Sequence, residues 1–165
     1  MRLIAPSRRL AISTLVISLP LTASLTSAWA QVTDPVLGTW KLNVARSKFA
    51  GGRGPKSQTV RFLRVDGGTA VTSEAVGQDG RVTRSWYIVK FDGKRHPIMG
   101  SPTADSVSFK LLDKWTVERS DTKAGRVTAQ VVRVLSKDGK TLTVTSKAFD
   151  TLGRPVLGIT VFNRT

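Results

Sequence analysis

From residue 36 onward, apolar and polar residues alternate in short bursts. Ser106-Val107-Ser108-Phe109-Lys110-Leu111 and Trp115-Thr116-Val117-Glu118 put an apolar side chain at every second position, the period of a strand with one buried face. Between such bursts stand Asp66-Gly67, Asp79-Gly80 and Asp92-Gly93, thirteen residues apart, and Gly125, Gly139 and Gly153, fourteen apart. Asp-Gly between β-branched runs is a hairpin signal, because glycine takes the positive φ of a tight turn. Strands are expected over about 36–44, 57–65, 69–77, 82–91, 105–112, 114–121, 126–136, 140–148 and 156–164. Outside the N-terminal segment no apolar stripe repeats at 3.6 residues.

The strands at 82–91 and 126–136 carry apolar residues in both phases. A two-sheet sandwich gives a cleaner split between its faces, whereas a closed barrel with a partly filled interior and loops against its outside mixes them. Short, even connections favour an up-and-down meander, and closing it removes exposed edge strands. The expected fold is all-β, an antiparallel up-and-down β-barrel of about 8–10 strands, with the sandwich as the alternative. Gly38 suits a close backbone approach and Trp40 a plug for one end. Two stretches break the rhythm. Residues 45–56 hold three Gly and Pro55, which points to a mobile basic loop across one mouth. Pro97 and Pro102, in the stretch 95–102, argue against a central strand there.

Residues 1–30 change the picture of compartment. Arg2, Arg8 and Arg9 precede an apolar run from Leu10 to Leu25 and the small residues Ala28 and Ala30, the layout of a secretory signal helix cleaved after Ala30. The run is interrupted by Pro20 and is shorter than the ~20 residues of a spanning helix. The expectation is a 1–30 signal peptide and one exported domain, 31–165, periplasmic or secreted and monomeric. Ser7-Arg8-Arg9 leaves the twin-arginine route open beside the general one. With no cysteine, neither a disulfide nor a lipoprotein anchor can form.

Past residue 30 the chain holds 23 Lys and Arg against 11 Asp and Glu, net +12. Asp66, Asp79, Asp92, Asp138 and Asp150 fall in or beside Gly turns, where Asp accepts hydrogen bonds from nearby amides. The run from Lys41 to Arg64 holds no acid at all. Such a balance suits anionic envelope components. The basic residues are dispersed and aromatic interleaving is sparse, so no specific nucleic acid is expected.

Gly38-Thr39-Trp40-Lys41-Leu42 resembles the opening strand of the calycin superfamily, the lipocalins and fatty-acid-binding proteins, whose barrels begin with a G-x-W motif. Arg133-Val134-Leu135-Ser136-Lys137-Asp138-Gly139-Lys140-Thr141-Leu142 resembles the late hairpin of the fatty-acid-binding group, where an inward arginine precedes a D-G-K-x-L turn. Thr160-Val161-Phe162-Asn163-Arg164 is similar to its closing strand. The resemblance implies a lipocalin-like barrel over 31–165, like small domains that bacteria export, with Arg164 stacked on Trp40. Where that group has a second carboxylate-holding arginine and a tyrosine, this chain has Thr160 and Phe162. Where it has a helical lid, this chain has the Gly-rich loop.

Arg133 is the first candidate for binding. If Val127, Ala129, Val131 and Leu135 face inward, so does Arg133, and its guanidinium can grip a carboxylate or phosphate. In the opposite phase it is a solvated surface charge. Trp86 and Tyr87, near Arg84, are candidates for lining a cavity, and Phe49 for its lid, although tryptophans at strand positions also serve as packing. His96 is expected to be exposed. As the single histidine it speaks against a catalytic triad or a His-rich metal site, and the carboxylates show no metal-ligand spacing. No P-loop, nucleophile elbow or dinucleotide fingerprint occurs. The expectation is a binding protein for a small hydrophobic, amphipathic or anionic ligand, with no cofactor, no metal and no enzymatic activity. The alternative is a polyanion-binding or structural domain with a filled core.

Overall fold

The structure, a computed structural model, describes residues 35–150 and 152–165; the expected signal helix lies outside them. Ten strands follow one another: β1 (Gly38–Leu42), β2 (Ser57–Val65), β3 (Gly68–Val76), β4 (Val82–Val89), β5 (His96–Met99), β6 (Ser106–Leu111), β7 (Thr116–Lys123), β8 (Arg126–Leu135), β9 (Thr141–Phe149) and β10 (Pro155–Arg164). Each pairs antiparallel with its neighbour in sequence, and β1 pairs with both β2 and β10, so the meander closes on itself. This closed ten-strand barrel is the all-β antiparallel meander that the strand rhythm predicts, and it excludes the sandwich. The turn acids do what their positions suggested. Asp79, Asp92, Asp138 and Asp150 each accept a hydrogen bond from an amide two residues on, at 2.9–3.0 Å.

The Trp40 end is closed by packing and by one cation. Trp40 is fully buried, and its indole N–H donates to the Val36 carbonyl at 2.7 Å. The Arg164 guanidinium lies 4.4 Å from the Trp40 ring centroid. It donates to the carbonyls of Pro35, Leu37 and Gly139, tying the segment just before β1 to the β8–β9 turn. Gly38 sits between them with φ +124°, and a Cβ there would stand 2.9 Å from Arg164 Nη1. Both the backbone angle and the missing side chain are therefore required.

Four expectations need correction. The stretch around Pro97 forms a strand after all, β5, paired at two positions with β4 and at two with β6. Proline is tolerated because the ladder uses the next amide: Ile98 N donates to the Asp105 carbonyl at 3.0 Å. Residues 45–56 are not only a loop. A single 3-10 turn, Val44–Arg46, is capped by Asn43, and Lys48 then exchanges two backbone hydrogen bonds with Ile159 of β10. Trp115 lies in the β6–β7 turn instead of on the strand, its ring still packed on the core. His96 is held: Nε2 lies 2.9 and 3.1 Å from the two carboxylate oxygens of Asp92, and its side chain is 18% exposed.

β8 explains one mixed pattern. Its register against β7 slips at Asp121/Thr122, where Asp121 pairs with Ala129 and Thr122 with Val127. The extra residue, Thr128, flips the phase. Val127 therefore points out, 47% exposed, while Val131 and Leu135 are buried. Val132 and Val134 face outward as well, as β-branched residues do on a solvated strand face.

Candidate functional site

The inward positions of the strands build rows across the wall. Pairing puts Phe162, Leu142 and Leu135 in one row near the closed end. The next row toward the other end holds Thr160, Val144, Arg133 and Val117. The row after it contains Val131, Arg119 and Phe109, and the one beyond contains Asp121 and Val107. On the other side, Phe62, Val71, Tyr87 and Ile98 line up across β2 to β5. Residues of these rows line a cavity of about 250 Å³ that is open at one side.

Arg133 lines this cavity, with its guanidinium 5.0 Å from the Phe62 ring centroid. Val131 and Leu135, two residues to either side, share its inward phase. Tyr87 also lines the cavity, stacked on Phe109 at 5.7 Å between centroids. The other residues singled out from the sequence are elsewhere, and these placements are corrections. Trp86 and Arg84 occupy the opposite phase of β4, on the outer face. Trp86 is 52% exposed, and Arg84 forms an exposed ion pair with Glu74 at 2.8 Å. There they border an outer groove with Arg61, Thr72 and Met99. Phe49 does not line the cavity; its ring lies against Gly54, where a Cβ would sit 2.3 Å from it. It is no lid. Gly38, Trp40 and Arg164 meet at the closed end, away from the cavity lining.

Two charged residues escaped sequence reasoning. Arg119 and Asp121 follow Val117 at intervals of two, so the alternation that buries Val117 carries both inside. Their charges made them look like solvated positions. Arg119 Nε lies 2.7 Å from Asp121 Oδ1, Nη2 donates to Oδ2 at 2.9 Å, and Nη1 donates to the Tyr87 hydroxyl at 3.2 Å. Burial works against the charge on Arg119, but Tyr87 and Asp121 outweigh it and leave its pKa raised. Hydroxyl and amide groups supply the remaining polar lining, among them Ser73, Ser85 and Thr160, with Gln58 donating to Ser73 Oγ at 2.8 Å. The cavity's charged lining residues are Arg119, Asp121 and Arg133, net +1. Such an interior can hold an anion against an aromatic wall. Among the described residues, no group of three or more His, Asp or Glu comes together as a metal site would need.

No protein-family model matches the chain, and no curated protein does either. Among solved structures, it is similar to a zebrafish ileal bile acid-binding protein crystallised with cholic acid. The identity is 12% and the TM-score 0.47, over 79% of this chain and 99% of that one. The cholic acid is that protein's ligand.

Proposed function

We propose that this chain is an exported binding protein whose barrel holds a small amphipathic or anionic molecule in its interior, with Arg133 as the anchor. The observation that carries this reading is the 250 Å³ cavity with the Arg133 guanidinium in its lining. Guanidinium pairs with a carboxylate through two parallel hydrogen bonds, and such charge-assisted bonds strengthen in a partly desolvated site. The segment from Arg2 to Ala30 supports export, and amino-terminal sequencing of the secreted or periplasmic protein should begin at Gln31.

The test is calorimetric titration of the mature protein with benzoate and octanoate, beside mass spectrometry of whatever co-purifies. Arg133→Ala should weaken both acids by at least about tenfold, the loss expected for hydrogen bonds to a charged group. Identical weak binding in both proteins would remove Arg133 from the account.

One observation favours a second reading. The exposed Trp86 and Met99 lie beside Arg61 and Arg84 on the outer face, a composition that suits an anionic envelope component. Retention on heparin that disappears at ~0.2 M salt would mark it as diffuse charge, whereas retention lost in Trp86→Ala would support a surface site.

A further inference from the structure

The outer wall of β2 to β5 carries a groove on the face away from the cavity. Strand pairing sets two adjacent outward rows there. One runs through Arg61, Thr72, Trp86 and Met99, the other through Thr59, Glu74 and Arg84. All seven line the groove, while Val60, Phe62, Val71 and Tyr87, which alternate with them along the strands, are buried inside the barrel. From β2 to β5 there are three strand spacings, about 14 Å at ~4.8 Å each. That is longer than a single sugar ring. At the β5 end Gly100 has φ +73°, and a Cβ there would collide with the Arg84 carbonyl, so no side chain can block the groove at that point.

Two apolar side chains stand in this setting. Trp86 is 52% exposed and Met99, its cross-strand partner, 51%. The indole face carries the negative side of the ring quadrupole and attracts positively polarised C–H groups. Planar polar groups and hydroxyls surround it. Glu74 Oε2 accepts from Arg84 Nε at 2.8 Å, and both side chains are more than half exposed. Such a pair adds little to stability, and it leaves Glu74 Oε1 to accept and the Arg84 Nη groups to donate. Thr59 and Thr72 add hydroxyls that do both. Arg61, on β2, makes no ion pair among the described residues, and with Glu74 and Arg84 paired it leaves the groove at net +1.

This mixture separates three kinds of occupant. A protein interface surrounds its aromatic anchor with a core depleted of charge, whereas here three charged residues line the groove. A lipid chain would strip water from Glu74, Arg84 and two threonines without replacing their hydrogen bonds. A sugar does neither, since a pyranose offers C–H groups on one face and hydroxyls around its rim. We propose that the outer groove binds an acidic oligosaccharide. One ring stacks on Trp86, its hydroxyls bond to the Glu74–Arg84 pair, and the acidic group of another ring pairs with Arg61. This rests on the surface reading given above and narrows its anionic component to a sugar chain.

The test uses the labelled mature protein at ~0.15 M salt with three probes: tri-galacturonate, the uncharged trisaccharide maltotriose, and phosphatidylglycerol vesicles. Tri-galacturonate should shift the Trp86 indole N–H resonance and leave that of the buried Trp40 in place. In calorimetry it should bind at least about fivefold more tightly than maltotriose, and Trp86→Ala should weaken it by a similar factor, as expected for one stacking contact. Arg61→Gln should bring the two trisaccharides to within twofold of each other. Trp86 and Arg61 are exposed, so both variants should fold, which thermal melting checks; the wild-type comparison needs neither. Equal affinity for the two trisaccharides, uronate binding unchanged in Trp86→Ala, or no response at Trp86 to either sugar overturns the inference. Vesicle binding lost in Trp86→Ala, with no response to sugars, would make the groove a lipid-surface site: the surface reading would stand and this inference would fall. Heparin retention that ignores Trp86→Ala and vanishes with salt removes both.

Discussion

Replacing Arg164 with alanine should cost the barrel about 3–5 kcal/mol. The side chain donates to three backbone carbonyls, those of Pro35, Leu37 and Gly139, and its guanidinium covers the Trp40 ring. Hydrogen bonds from a charged donor contribute ~1.5–3 kcal/mol each when buried. Arg164 is only partly buried, so about 1 kcal/mol each is the fair figure. The cation–ring contact adds about 1 kcal/mol. No carboxylate lies within ion-pair distance among the described residues, so its loss leaves no orphaned charge. The loss is a large share of the ~5–15 kcal/mol that usually holds a domain folded. At this chain length it lowers Tm by roughly 10–15 °C. Urea denaturation at pH 7, followed by circular dichroism and tryptophan fluorescence, measures it. Arg164→Lys keeps the charge but loses the fork, and should recover less than half of the loss. If Arg164→Ala stays within about 1 kcal/mol of wild type, the guanidinium does not close the barrel and the end is sealed by Trp40 packing alone.

Three further outcomes follow from the same structure. Ala124 sits at φ +48° in the two-residue β7–β8 turn, beside Gly125, so Ala124→Gly or Ala124→Asn should raise stability by about 0.5–1 kcal/mol in denaturant melts. Five carboxyls have pKa values below the ordinary carboxylate range. The cause is chiefly the His96 ring for Asp92, the Ser136 hydroxyl for Asp138, and backbone N–H groups for Asp105, Asp113 and Asp150. A depressed folded pKa stabilises above the unfolded value of about 3.9 and loses that contribution as pH falls through the folded value; Tm should hold level from pH 7 to 5 and drop below about pH 4. Trp86→Ala should leave the calorimetric affinity for interior acids unchanged within twofold, since Trp86 is on the outer face.

What could be read from the chain was whatever alternation and turn chemistry fix locally. Trp40 and the Asp-Gly turns each announce their roles within a few residues, and the barrel follows from their rhythm. Arg133 faces inward because Val131 and Leu135 do. Val127 breaks that pattern because one extra residue at Thr128 flips the phase, and nothing in the local sequence distinguishes a bulge from an ordinary strand. Trp86 and Tyr87 are adjacent, so one of them had to face out; β4 is apolar in both phases, and only its pairing with β3 and β5 decides which. β5 was hidden by Pro97, whose missing N–H costs nothing where Ile98 makes the ladder bond. Arg119 and Asp121 were concealed by their charges, which pair with each other inside the barrel, while Tyr87, more than thirty residues away in sequence, accepts a further hydrogen bond from Arg119.

The account depends most on an interior that accepts an anion, and nuclear magnetic resonance tests this directly. With benzoate added to the labelled mature protein, chemical shifts should move at inward positions such as Ser73, Val117, Arg133 and Val144, while outward positions such as Trp86, Val132 and Val134 stay still. Shifts confined to the outer face, or none at saturating acid, would contradict it.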